Sequence, residues 1–342
     1  MRYCRDRIGT FIVIRHIFRL AILILATLAV LPTAHAKSYQ YFRTGNTADV
    51  STNPVSGFAL MGGGVDLDEA FQWLCDKADG GDFLVVRATG NDDYNPYIAK
   101  LCKLNSVATL IIPDKTAAED PEVAAIIRKA EAIFISGGDQ SNYIKYWQGT
   151  PVQAAINSLI GHGVPLGGTS AGLAVLGQFI FSAMNDSAYS KDTLADPFND
   201  RVTIASGFVR IPHLERTITD THFAKRDRLG RFLVFMARIA SDGNGSDIRG
   251  IPIDEKVAAL MESNGSIKVV GRGIAAYFMR PTQGPELCKA GQPLTYRGIE
   301  VYKAPPGATF NLVRWEGTGG LAYRLDVTNG VISSTQAGGA LY

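Results

Sequence analysis

The stretch LGGTSAGL, Leu166 to Leu173, decides the reading of this chain. It contains Gly168-Thr169-Ser170-Ala171-Gly172, a G-x-S-x-G pattern, between the apolar segment at 164–166 and the helix-compatible LAVLG at 173–177. A serine thrown outward by a sharp strand-to-helix turn needs residues without bulk on both sides, and Gly168 and Gly172 supply them. Ser170 then stands as a candidate nucleophile. The N–H of Ala171, in the first turn of the helix, points toward a developing oxyanion. The same residues also suit an ordinary helix start with Ser170 as its cap.

Around this turn, apolar strand-like runs alternate with helical segments. Strands are expected at 57–61, 82–87, 107–112, 132–135 and 164–166, with helices over 66–77, 97–104, 121–129 and 141–162. Continuous β-branched runs spaced by helices mean strands buried on both faces, so the expected fold is α/β, three layers around a mostly parallel sheet. Beyond about Ile251 strand-and-turn signals dominate, and from Pro285 nothing else is seen. The expected division is an α/β domain over 37–284 and a C-terminal β-rich extension over 285–342.

The first 36 residues read differently. Five arginines and one aspartate precede the apolar run LAILILATLAVL at 20–31, and Ala34-His35-Ala36 follows. Basic region, apolar dozen and A-x-A make a secretory signal peptide, too short to be a spanning helix. Cleavage after Ala36 turns the formal charge of the 342-residue chain from +2 to −2, because five basic and one acidic residue leave. With 46% hydrophobic residues, the chain is neither disordered nor a basic nucleic-acid binder. Cys75, Cys102 and Cys288 remain, with no CxxC or His/Cys cluster, so neither a zinc site nor any other metal or cofactor is expected. Cys75 and Cys102 fall in the first helical layer and are the expected partners if a disulfide forms.

A serine nucleophile needs a base, and three histidines lie beyond residue 36. His162 ends the helix before the elbow strand, near the wrong end of that strand. His213 lies in a largely apolar run and reads as a core histidine. His222, in ITDTHF at 218–223, sits at a junction where catalytic residues collect above a sheet, and is the best base on position. For the orienting acid, Asp186 follows the strand-like segment 179–183, with Asp192, Asp196 and Asp200 as alternatives in the same loop.

After His222 comes KRDRLGR at 225–231. Cations are disfavoured at a helix N-terminus, yet Lys225, Arg226, Arg228 and Arg231 crowd there. Guanidiniums beside a nucleophile suit a carboxylate-bearing substrate. Arg228 and Arg231 share a helix face, and Arg226 joins them only if the first turn is irregular. Upstream, FISGGDQS at 134–141 ends a strand and opens a helix. The N–H groups of Gly137 and Gly138 are candidates to complete an oxyanion hole, and Gln140 to bind substrate.

Taken in order, Gly137-Gly138-Asp139-Gln140, Gly167 to Gly172, and Asp220-Thr221-His222-Phe223 with Arg226, Arg228 and Arg231 resemble the cyanophycinase branch of the dipeptidase E family of serine peptidases. The resemblance covers roughly residues 55–280. It implies a class I glutamine-amidotransferase-like fold and hydrolysis of bonds next to aspartate. The cyanophycinase substrate is a poly-aspartate backbone with arginine on each β-carboxyl, cut to β-Asp-Arg dipeptides. By resemblance Ser170 is the nucleophile and His222 the base, while Gln140, Asp220, Thr221, Arg226, Arg228 and Arg231 occupy substrate-binding positions. Asp220 would then meet the substrate guanidinium. Thr221 stands where these enzymes tend to have glutamine. The leader and the C-terminal extension are similar to the exported members of this branch.

The expectation is therefore an exported serine exopeptidase, periplasmic or extracellular, acting on a peptide or polymer through an acyl-enzyme. It requires no nucleic acid, and no membrane once the leader is cut; a homodimer is compatible with it. Another serine hydrolase, either an esterase or a general aspartyl dipeptidase, is the competing reading. A silent binding protein is disfavoured by the intact Ser170 and His222.

Overall fold

The apolar runs become strands buried on both faces. In the computed structural model, which describes residues 37–342, they are β1 (Gln40–Gly45), β2 (Gly57–Met61), β3 (Asp82–Arg87), β4 (Ser106–Ile111), β5 (Ala132–Ile135) and β6 (Leu166–Thr169). The signal peptide expected over 1–36 lies outside the described residues. Strands β4, β3, β5, β6 and β2 run parallel, in that order, at the heart of a ten-stranded sheet. Strand β1 closes one edge antiparallel to β4.

Alternation sorts the side chains of each strand. Phe83 and Val85 face a layer of α1 (Asp68–Lys77) and α2 (Tyr94–Leu101), with Phe71, Leu74 and Ile98 packed against them. Leu84 and Val86 face the opposite layer, which contains α3 (Pro121–Ile127) and α4 (Pro151–Gly161). Asp120 caps α3 by accepting from the Glu122 N–H, and Pro121 opens it, where a missing N–H costs nothing.

The second half of the chain adds a sheet that the strand signals did not separate from the first. Its members are β7 (Phe179–Phe181), β8 (Ile204–Ser206), β9 (Thr217–Asp220), β10 (Arg249–Pro252), β13 (Ala276–Pro281), β14 (Tyr296–Ala304), β17 (Leu321–Thr328) and β18 (Val331–Ser334). Strands β7, β9 and β10 are parallel, and β13 onward is antiparallel. The β-rich C-terminal region thus joins this sheet through β14 on β13. Meanwhile β11 (Val257–Glu262), β12 (Ser266–Gly271), β15 (Thr309–Asn311) and β16 (Glu316–Thr318) extend the first sheet antiparallel beyond β2. Ile251, Ile253 and Phe278 of the second sheet meet the same core as Leu84 and Ile133. The other face is covered by α5 (Leu229–Ile239), through Phe232, Phe235 and Met236.

Cys75 of α1 and Cys102, which ends α2, form a disulfide with Cα atoms 6.1 Å apart, and Cys288 is free and half-buried. The bridge closes 27 residues of chain, a loop worth about 3.5 kcal/mol of unfolded-state entropy. Alkylation of the unreduced, denatured protein should therefore label Cys288 but neither Cys75 nor Cys102. Reduction should lower Tm measurably; labelling of all three without reductant would refute the bridge.

Candidate active site

Strand β6 ends at Thr169, and Ser170 follows with φ 52° and ψ −119°, a conformation that few non-glycine residues adopt. The turn exists because backbone approaches on both sides. Ser170 N–H donates to the Met61 carbonyl at the end of β2 (3.2 Å). A Cβ on Gly172 would collide with the Ile135 carbonyl of β5. The expected sharp strand-to-helix turn is thus present, with a short helix at Ala171–Ala174 behind it.

His222 is delivered by the end of β9. Its backbone has φ 46°, its N–H donates to the Gly62 carbonyl (2.8 Å), and its ring is 5% exposed as a residue. Nε2 lies 2.8 Å from Ser170 Oγ, and Nδ1 lies 2.7 Å from Glu255 Oε1. Serine, imidazole and carboxylate therefore form one hydrogen-bonded relay. The other histidines are elsewhere. His162 Nδ1 bonds the Ser158 carbonyl at the end of α4, and His213 sits half-buried in a turn with Nε2 on the Ser263 carbonyl.

The carboxylate that the His222 ring meets is that of Glu255, not the expected Asp186. Asp186 lines the same pocket, but at φ 80° its carboxylate turns back on its own loop, accepting from the Ser187 N–H (2.6 Å). Glu255 comes from the segment IPIDE at 251–255, immediately after β10. Because β9 and β10 are parallel neighbours, their ends place His222 and Glu255 together. The signal was present in the sequence, as an apolar run ending in two carboxylates, the strand-end logic that marked His222. The shift to strand-and-turn texture at Ile251 concealed it.

Gly63 also belongs here. It has φ +94°, and a Cβ on it would sit 2.6 Å from the His222 ring and 3.2 Å from Ser170 Cβ. Only glycine leaves the relay room. On the other side Gly137 lies against Ser170: a Cβ there would be 3.9 Å from Ser170 Oγ. Gly138 and Ala171 line the pocket with Ser170, and Ala171, as the first helical residue, has no carbonyl one turn back for its N–H.

The arginine cluster divides. Arg231, 2% exposed, grips Asp220 bidentately, with Nε to Oδ2 at 2.9 Å and an Nη to Oδ1 at 2.6 Å; its other Nη donates to the Ala188 carbonyl. Asp220, also 2% exposed, is thus engaged within the protein, and its carboxylate is not free for a substrate guanidinium, contrary to the expectation. Burial works against its charge, and the Arg231 and Arg228 guanidiniums more than offset this, holding it below the usual carboxylate range. Arg231 and Thr221 border the pocket, but Thr221 spends its hydroxyl and carbonyl oxygens accepting from Arg228 (3.0 and 2.9 Å). Arg226 is half-exposed and 4.0 Å from Glu255. Residues 223–228 form the irregular turn that Arg226 needed, since α5 begins only at Leu229. Gln140 lines the pocket and donates to the Phe181 carbonyl (3.3 Å).

The pocket so enclosed has a volume of about 190 Å³ and lies at the C-terminal ends of β5, β6 and β9. Burial depresses the His222 imidazole below its ordinary 6.5, and the Glu255 hydrogen bond opposes this only in part. The hydrogen bond from His222 in turn holds the Glu255 carboxyl below the usual range. At neutral pH the imidazole is therefore uncharged and able to take a proton from Ser170.

An α/β sheet carrying a strained serine, a neutral histidine and an orienting carboxylate at its strand ends defines a serine-type hydrolase. Residues 65–238 match the model of peptidase family S51, and the chain belongs to that family of serine-type peptidases. It is 31% identical to a cyanophycinase of Synechococcus elongatus over 171 residues, 50% of this chain and 48% of the relative. To a cyanophycinase of Trichormus variabilis it is 29% identical over 211 residues, 60% and 65% of the two chains. The chain thus spans about half to two thirds of the curated relatives it matches. A solved peptidase from an acI-B1 actinobacterium is 17% identical, with a TM-score of 0.49 over 76% of this chain and 98% of that one.

Two outcomes follow from this geometry. Arg231→Gln leaves the Asp220 charge buried with its main partner gone, so it should destabilise the protein by about 3–5 kcal/mol. It should lower Tm, and hydrolysis of charged and neutral substrates alike. An Arg231→Gln protein with wild-type Tm would show that the pair is dispensable. For the pH dependence, activity requires neutral His222, whose value lies below 6.5. The acid limb of kcat/KM should therefore have its midpoint below pH 6.5, and an inflection above 7 would contradict the assignment.

Proposed function

We propose that this protein is an exported serine exopeptidase that hydrolyses cyanophycin or related β-aspartyl peptides and releases β-Asp-Arg dipeptides. The observation that carries the reading is the relay of Ser170 Oγ, His222 and Glu255, at 2.8 and 2.7 Å. In this mechanism His222 Nε2 takes the Ser170 proton as Oγ attacks the scissile carbonyl. Glu255 holds Nδ1–H and stabilises the imidazolium. The N–H groups of Ala171 and Gly138 receive the oxyanion. His222 then gives its proton to the leaving amine, which breaks the C–N bond and leaves an acyl-enzyme on Ser170. Water, deprotonated by His222, releases the acid and restores the serine.

Substrate choice rests on the arginines and on the similarity to cyanophycinases over half of the chain. Arg226 and Arg228 border the pocket and suit an aspartyl carboxylate. Arg231 is reserved for Asp220, so recognition of the arginine side of the substrate falls to other residues. Export rests on the basic, apolar and A-x-A pattern of residues 1–36.

The deciding experiment incubates purified protein with cyanophycin and measures β-Asp-Arg. Release by the wild type and a loss of at least about 10³-fold in Ser170→Ala are expected. Glu255→Gln should cost roughly 10²–10⁴-fold, as loss of an orienting carboxylate does, and Asp186→Asn less than about threefold. Cleavage of aspartyl dipeptides without cyanophycin would favour the general dipeptidase. A fully active Ser170→Ala would end the serine mechanism.

A further inference from the structure

Arg226 stands one turn beyond the base. Its N–H donates to the His222 carbonyl at 2.9 Å, which fixes its backbone against the histidine. Its side chain brings Nε to 4.0 Å from Glu255 Oε1. That oxygen is the one that meets His222 Nδ1 at 2.7 Å. A single carboxylate oxygen thus faces both the imidazole of the relay and a guanidinium of the pocket.

The three pocket arginines are not equally engaged. Arg231 is bound to Asp220, and Arg228 donates to both oxygens of Thr221 and lies 3.5 Å from Asp220. Arg226 reaches Glu255 only at ion-pair distance, beyond hydrogen-bond reach. Its side chain is 53% exposed, and it lines the pocket with Ser170 and His222. Among the described residues Glu255 is its one acidic partner.

The other charges around His222 are balanced or turned away. Asp220 is paired with Arg231 at 2.6 Å. Asp254, buried beside Glu255, accepts from the Lys225 N–H at 3.0 Å. Asp139 and Asp186 also border the pocket, and each accepts from a backbone N–H of its own loop, Ser141 at 2.9 Å and Ser187 at 2.6 Å. Lys225 is an exposed second cation that acts on Glu255. The segments of Gly62–Gly64 and Ser170 bring no charge. Arg226 and Arg228 work against the imidazolium, and Glu255 works for it.

We propose that Arg226 is a positioning residue that couples the relay to the charge of the substrate: with the pocket empty its guanidinium shares Glu255 Oε1 with His222, and a carboxylate bound at Arg226 returns that oxygen to the histidine alone. The proposal deepens the aspartyl-substrate reading and rests on it for the identity of the acid. A negative group on the guanidinium offsets its field, so the base strengthens as an acidic substrate arrives. A neutral substrate meets the weaker base. Discrimination then falls on the chemical step and not only on binding.

The experiment follows the His222 imidazole by NMR titration, with and without saturating succinate at constant ionic strength, in wild type, Arg226→Lys and Arg226→Gln. The resonance is the one lost in His222→Ala. In the free protein Arg226→Gln should raise the midpoint by roughly half a pH unit toward 6.5, the size an exposed ion pair supports. Arg226→Lys keeps the charge and should stay within about 0.2 pH unit of wild type. Succinate should raise the wild-type midpoint by a similar amount and leave that of Arg226→Gln unmoved. The acid limb of kcat/KM for a neutral p-nitrophenyl ester should move with the free-protein midpoints. A guanidinium that only supports the turn would make the lysine and glutamine variants titrate alike. That result, an unmoved midpoint in Arg226→Gln, or a wild-type His222 indifferent to succinate overturns the proposal. If succinate moves His222 but no β-Asp-Arg is released from cyanophycin, the substrate reading fails and the coupling stands. Release of β-Asp-Arg with an unmoved Arg226→Gln midpoint is the reverse.

Discussion

The carboxylate of Asp220, buried at the end of β9 and held at both oxygens by Arg231, sets where everything after it in the chain can stand. A buried ion pair is costly to form and costlier to break, which is why both ends of this one are fully hydrogen-bonded. Asp220 Oδ1 also receives the Thr221 N–H, so the chain leaves the strand in one direction. His222 comes next, and its positive φ is held by the Gly62 carbonyl. Arg231 crosses from α5 with its guanidinium over Phe181, so the same pair ties α5 to β9 and β7.

Two parallel registers then complete the site. Strand β6 against β2 and β5 places Ser170 beside Gly63 and Gly137. Strand β10 against β9 places Glu255 beside His222. The relay therefore spans both sheets, with the nucleophile on the first and the base and acid on the second. The glycines at 62 to 64 are where the sheets come close enough for it to close: Gly62 meets His222 and Gly63 meets both reacting side chains. Burial of the imidazole keeps it neutral, and the half-exposed Glu255 limits how far its proton affinity falls.

The arginine-rich turn shows how one composition can hold two functions. Arg231 is an interior residue in a basic run that reads as a surface. Arg226 and Arg228 border the pocket from the irregular turn that precedes α5, which begins only at Leu229. Without that irregular turn, the three would point in directions too different to share a pocket.

The sequence by itself pointed to the α/β heart, the sharp turn at Ser170, His222 at a strand end, and Cys75 and Cys102 as partners should a disulfide form. Each is written in a local signal: β-branched runs buried on both faces, glycines flanking a serine, a histidine at a strand end, cysteines in one helical layer. What it left open depends on distance along the chain. Glu255 and Asp186 each follow an apolar strand-like run, 33 and 36 residues from His222, so the strand-end signal marks both and does not choose between them. Arg231 satisfies the same residue-type logic as Arg226, and only burial separates the one that holds Asp220 from the one that faces the pocket. The division of the C-terminal strands between two sheets is likewise invisible to periodicity, which gives the faces of a strand but not its neighbours. Tertiary structure decided these, because the partners of a buried charge and the edges of a sheet are chosen by what folding brings within a few ångströms.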